Sequence, residues 1–319
     1  MKKPVPSQVV QYTLTLKNSP SPDGVISLER LAVLAQGIVN IAKGALQIRL
    51  SGLSHKKGKA PAYLEKALNI QFKGIQSGST IIQLEAPKFS DTIPPLEAKV
   101  AYMPLSDAFL NKTPISLFVD TYQEALTDAG NQQGLDKALI QDLKVLQGFF
   151  RAANEELVIA TEASNQTLSL TKGQFDKIKQ LDEATPEPQQ VLVNGTVDVL
   201  EYSKSKLTLV TNGGKLTAIF SDEEQLNQAR PFWGLQVTLA GQAHFKSNGQ
   251  LMYVLVDRIF ESRPQDKFFS KVPNAENARQ QLKRQIRERT PKNWMAEIAG
   301  KWPGNETDKE FEEMLKLLD

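Results

Sequence analysis

The chain predicts an α+β protein: a mixed α/β N-terminal domain over 1–184, a linker at 185–190, a small five-stranded β-barrel of OB or SH3-like type over 191–263, and a helical C-terminal tail over 264–319. Three observations carry this. Strand-like alternation and helix-spaced apolar residues interleave up to about residue 184. Five short strand-like runs then crowd into about 75 residues. Past Arg263-Pro264 the chain turns to charged blocks of opposite sign.

In the first part, "QVVQYTLTLKN" (8–18) alternates apolar and polar residues and predicts a strand. Leu28, Leu31, Leu34, Ile38, Ile41 and Leu46 fall near helical spacing, with Ser27 as N-cap and Arg30 where a full capping box would have Glu or Gln. The basic loop "GLSHKKGKAP" ends that helix. A hairpin follows, with Leu68, Ile70 and Phe72 alternating on one side of "QSGS" and Ile82 and Leu84 on the other. Two helices are expected within 113–153, separated by "GNQQG". "ELVIATEASNQTLSLT" returns to strand around a polar turn, and "KGQFDKIKQLDEA" is a short helix.

"TPEPQQ" (185–190) offers two prolines and polar residues with nothing to bury, which suits a linker. Beyond it the expected strands are "VLVNGTVDVLEYS", "KLTLVTN", "GKLTAIFS", "GLQVTLAGQAHF" and "QLMYVLVDRIF", with a short helix in "DEEQLNQARPFW". Closing five strands into a barrel leaves no exposed edge. Asp222, Glu223 and Glu224 read as the first turn of that helix, where acids favour the dipole. Phe232 and Trp233 are expected to plug the barrel.

Composition narrows the function. The 319 residues suit two or three domains, and a mean hydropathy of −0.33 with 40% hydrophobic residues supplies ample core. Net charge is only +2, so nucleic-acid affinity would need local patches. With no cysteine, thiol catalysis, disulfides and thiolate metal sites are excluded, and only His55 and His244 remain for imidazole chemistry. No cofactor or metal is expected. The basic start turns polar before any signal-peptide core accumulates, and no apolar run reaches the ~18 residues that span a bilayer. A cytoplasmic protein is expected, and the sequons at Asn111, Asn165, Asn194 and Asn305 are then chance matches.

Catalytic motifs are missing. Gly52–Ala60, "GLSHKKGKA", resembles a phosphate loop, but its spacing is one residue too long and it lacks the magnesium-binding hydroxyl. There is no G-x-S-x-G elbow, HExxH or EF-hand loop. His55 reads as part of a solvated basic turn and His244 as a barrel residue. The chain is expected to be no enzyme.

Two binding readings remain. In the tail, Phe311, Met314, Leu315 and Leu318 share one face of a short acidic helix, and Trp294 and Trp302 are large anchors of the type enriched at binding hot spots. A helix this short wants a surface to fold against. Six acids lie in 306–319 against two lysines, so the segment suits a basic groove. In the alternative, the barrel and a basic helix hold single-stranded nucleic acid. Arg279, Lys283, Arg284, Arg287 and Arg289 would contact phosphates, with Lys246 and Tyr253 on the barrel. Tyr202, Lys204, Lys206, Lys215, Phe245 and Arg258 are further barrel groups for that role.

The run Trp302-Pro303-Gly304-Asn305-Glu306, followed by "TDKEFEEMLKLLD", resembles the W-P-G-[DN]-E ending of many small bacterial antitoxins and antitoxin-like proteins. Asn305 stands where Asp is more usual. That resemblance covers about twenty residues and implies a segment that wraps a toxin, often a PIN-type ribonuclease. The stretch "KAPAYLEKALNIQFKGIQSGSTIIQLEAP" is similar to larger uncharacterised bacterial proteins built on P-A-W-L, G-S-T and A-P themes, with Tyr63 in place of Trp. It implies no activity.

Overall fold

The computed structural model describes residues 9–22, 24–55, 60–76, 80–127, 134–161, 164–221 and 223–275. Both the basic stretch from Arg279 and the acidic ending therefore lie outside the described residues. Residues Met1–Asn277 form one compact unit.

The first part is an antiparallel five-stranded sheet covered on one face by helices. Its strands are β1 (Val9–Lys17), β2 (Gln71–Gln76), β3 (Thr80–Pro87), β4 (Glu156–Thr161) and β5 (Ser164–Thr171), in the order β2-β3-β1-β4-β5. Alternation explains the two-layer build: Tyr12, Leu14 and Leu16 of β1 and Ile82, Leu84 and Ala86 of β3 point into the core, and their neighbours face water. The helices are α1 (Leu28–Ser51), α2 (Ala62–Ala67), α3 (Phe89–Thr92), α4 (Pro95–Val100), α5 (Asp107–Leu110), α6 (Pro114–Leu126), α7 (Lys137–Val145) and α8 (Phe175–Ala184). α2 and the three short helices between 88 and 112 were not anticipated. Prolines at 94, 95, 104 and 114 cut this region into pieces too short for a helical period.

Helix α1 is long and apolar enough, by length and composition, to cross a membrane. That corrects the expectation of no such stretch. Here its Leu34, Ile38, Ile41, Leu46 and Ile48 are buried among the sheet and helices, the place of a core helix. Ser27 caps it by accepting from Arg30 N at 3.3 Å. The Arg30 side chain is itself buried. Its Nε donates to Phe149 O, and a second nitrogen meets Glu155 Oε1 at 3.0 Å.

The second part is a closed five-stranded barrel of β6 (Gln189–Glu201), β7 (Lys206–Thr211), β8 (Gly214–Phe220), β9 (Gln236–Phe245) and β10 (Leu251–Glu261), in the order β10-β8-β7-β6-β9. Helix α9 (Glu223–Ala229) joins β8 to β9, as its acidic start indicates. β6 is long enough to pair with β9 along its first half and β7 along its second, with a bulge between Val197 and Val199. All neighbours run antiparallel except β10 and β8, which are parallel.

Three expectations change at residue level. The linker is not free of burial: Thr185 and Pro186 are buried, and Lys137 Nζ donates to Asp182 O at 2.6 Å and Thr185 O at 3.0 Å. Burial opposes ionisation of the Asp182 carboxyl, but the Lys144 and Lys137 ammoniums hold it below the usual carboxylate range. At the other end, the barrel does not stop at 263. A 3-10 turn, Pro264–Phe269, lies over β6, Asn212 N donates to Ser270 O, Asn274 bridges Gln250, and Ala275 joins the barrel core. Asn194, one of the sequon asparagines, is fully buried there; its Nδ2 donates to Thr238 Oγ1 and Ser262 Oγ. Lastly, Trp233 does not plug the barrel. It is 68% exposed, whereas Phe232 packs on the barrel core.

The two parts meet through Gly52. This residue ends α1 at φ 82°, and its N–H donates to Ile48 O. A Cβ there would stand 2.6 Å from Ile219 Cδ1 of β8 and 3.1 Å from the Tyr102 ring. Glycine is needed twice, for the left-handed backbone and for the close approach. Leu53, Ile219 and Tyr253 are buried together at this contact.

Candidate functional site

Trp294, Trp302, Phe311, Met314, Leu315 and Leu318, and likewise Arg279, Lys283, Arg284, Arg287 and Arg289, lie outside the described residues. Lys246 and Tyr253 can be placed, and they do not form a base-stacking surface. Tyr253 on β10 is only 2% exposed. Its ring stacks on His244 at 4.6 Å between centroids, and its hydroxyl donates toward Asp136 Oδ2 at 3.4 Å. Burial and the Asp136 carboxylate push that hydroxyl far above the usual phenol range, so it stays a donor. A ring so buried cannot receive a base.

The barrel lysines and Phe245 are committed as well. Lys204 and Lys206 both pair with Glu201, at 2.6 and 3.3 Å, and Lys215 pairs with Asp198 at 2.7 Å. Their ammoniums, led by the Lys204 hydrogen bond, hold Glu201 below the usual carboxylate range. Lys206 also lies over the Tyr102 ring at 5.4 Å. Phe245 is in the barrel core. Tyr202 and Arg258 are exposed.

Asp136 gathers the junction. It caps α7 by accepting from Leu139 N at 2.9 Å, and it holds the turn after α1 through Ser54 N and Oγ at 3.1 and 2.7 Å. Tyr253 joins from the barrel. The His244 Nε2 atom is buried without a hydrogen-bond partner among the described residues. Desolvation lowers the His244 pKa from its ordinary 6.5, only partly opposed by Asp136. The folded state therefore resists protonating this ring. As pH falls below 6.5 the unfolded chain takes up a proton that the folded chain does not, so stability present above 6.5 is lost toward the lower folded value. His244→Phe keeps a ring against Tyr253 and should abolish that part of the loss. Urea unfolding between about pH 7.5 and about pH 5.5 checks it, and an unchanged acid slope in the variant would contradict the assignment. His55, by contrast, is exposed and sits 2.8 Å from Asp142.

Beside this junction opens a cleft of about 440 Å³. One wall is the end of α1 (Ile48, Arg49), with Tyr102 and Met103; a second is α6, with Asp120, Thr121 and Glu124; Lys246 and Met252 come from the β9–β10 hairpin. Tyr253 lines the cleft too, and it and Lys246 are the lining residues that the sequence reading named for a binding role. The residues are drawn from segments up to about 200 positions apart, and no local spacing connects them. No group of three or more His, Asp or Glu residues suited to a metal ion occurs among the described residues.

No protein-family model, curated protein or solved structure matches this chain.

Proposed function

We propose that this chain is a non-enzymatic, cytoplasmic protein-binding protein, and that it engages its partner through the C-terminal segment containing Trp294, Trp302, Phe311, Met314, Leu315 and Leu318. The partner envisaged is a protein with a basic groove, such as a PIN-type ribonuclease held in the manner of an antitoxin. The observation that carries this reading is the closed state of the barrel. Its strand order, with a helix between the third and fourth strands and a parallel third–fifth pair, supports the OB over the SH3-like type. In such barrels the outer face of the second and third strands takes the ligand. Here Gly52, Leu53 and Tyr102 pack against that face at Ile219, and Lys206 and Lys215 are spent on ion pairs. A barrel committed to its own chain acts as scaffold, and an apolar, acidic ending is the better docking element.

In the full-length chain, Trp302→Ala combined with Leu315→Ala should strip a protein that the parent retains through native purification. Retention of that protein by the double variant would count against the reading.

That strand order itself favours a second reading, single-stranded nucleic acid held by the barrel with Lys246 and by the basic residues Arg279 to Arg289. Its signature would be oligonucleotide affinity that falls steeply with salt. Removing the basic side chains of 279–289 should then abolish it.

A further inference from the structure

We propose that the cleft between the end of α1 and the β9–β10 hairpin binds a small organic anion: an acid group, such as a carboxylate, sulfonate or phosphate monoester, carried on a flat apolar body. Its volume of about 440 Å³ lies within the range of small-molecule sites. The charges in it divide into two kinds. Lys112 is paired with Asp120 at 2.6 Å, which balances those two charges, whereas Glu124 accepts from Gly134 N at 2.9 Å and keeps its charge. Arg49 and Lys246 form no ion pair among the described residues. The Arg49 guanidinium lies over the Phe109 ring at 5.2 Å, which orients it without neutralising it. Of the cations without an ion pair, one therefore comes from α1 and one from the barrel hairpin.

Between them the surface is apolar and adaptable. Met103 and Met252 both line the space, together with Ile48, Leu117 and Phe109. Methionine moulds to flat ligands without a fixed shape. An acid group bridging Arg49 and Lys246 would gain charge-assisted hydrogen bonds, and its body would cover the methionines. Arg49, Lys112 and Lys246 stand against Asp120 and Glu124 in the lining, so the charge balance there favours an anion over a cation. Because the walls come from both parts of the fold, occupancy should also tie them together. This inference is independent of the docking role proposed for the C-terminal segment.

The test uses the full chain and 8-anilinonaphthalene-1-sulfonate as the anionic probe, with uncharged N-phenyl-1-naphthylamine as its counterpart. The neutral probe suits the apolar groove of Leu34, Ile38, Phe72 and Leu84 between α1 and the β2–β3 edge. Arg49→Met with Lys246→Met keeps the apolar lining and removes both charges. The expected result is saturable sulfonate binding that weakens at least about tenfold in the double variant, while the neutral probe is unaffected. Equal sulfonate affinity in the parent and the variant would overturn the proposal, as would no saturable binding to the parent. Should the variant not fold, hydrogen exchange on the parent decides. Saturating sulfonate should protect amides at 49–53, 102–103 and 246–253 together, and protection confined to the α1–β2–β3 groove would overturn it.

Discussion

Glu155→Ala should destabilise the fold by about 3–5 kcal/mol, the usual cost of stranding a buried charge. Arg30 and Glu155 have side chains 3% and 0% exposed, so the guanidinium left behind would have no water to replace its partner. The loss would exceed one ion pair. Glu155 Oε2 also accepts from Arg151 N and Ala152 N, closing the turn that leads into β4. Arg30 lies over the Phe149 ring at 4.7 Å and donates to Phe149 O at 3.0 Å, tying the start of α1 to the chain beyond α7. Replacing both partners by apolar residues, Arg30→Met with Glu155→Leu, should recover part of the loss, because no charge remains buried. Urea unfolding of the single and double variants measures this, and a single-variant loss below about 1 kcal/mol would contradict the buried pair.

Gly52→Ala should cost about 1–3 kcal/mol, again by urea unfolding. The methyl group would meet Ile219 Cδ1 and the Tyr102 ring, and the left-handed backbone at φ 82° disfavours any β-carbon. Relief requires α1 to lift away from β8, so the damage should centre on the junction. Hydrogen exchange should quicken at Leu53, Tyr102 and Ile219 more than in the sheet around Leu14. Gly148→Ala is the control: a Cβ there meets nothing within 4 Å, and stability should hardly change.

The regular elements were legible because each shows its period to one solvent face. β1 and β3 alternate cleanly, and α1 shows a helical period at Leu34, Ile38 and Ile41 before residues 44–48 become buried on every side. The strand count of the barrel was legible from its turns. What stayed hidden depends on surfaces with no period. β8 ends in Ala218, Ile219 and Phe220, all buried, and β10 passes through Tyr253 and Val254, both buried. Such unbroken apolar runs mean that both faces are covered. They were the available sign that the barrel leans on the first part, and that Tyr253 is a core residue instead of a base platform. Arg30 looked like a helix-start residue because its partner lies 125 positions away. Of the cleft, Lys246 and Tyr253 were named from the sequence, both for a nucleic-acid role on the barrel.

The central claim, a scaffold that holds a protein through its last residues, is tested most directly by purifying the full-length chain and residues 1–300 natively, side by side. Each preparation is then measured for bound protein by mass spectrometry and for nucleic acid by absorbance ratio. One protein present in stoichiometric amount with the full-length chain and lost from 1–300, with no nucleic acid in either, is the expected result. Nucleic acid retained equally by both, with no protein partner, would contradict it and transfer the function to the barrel.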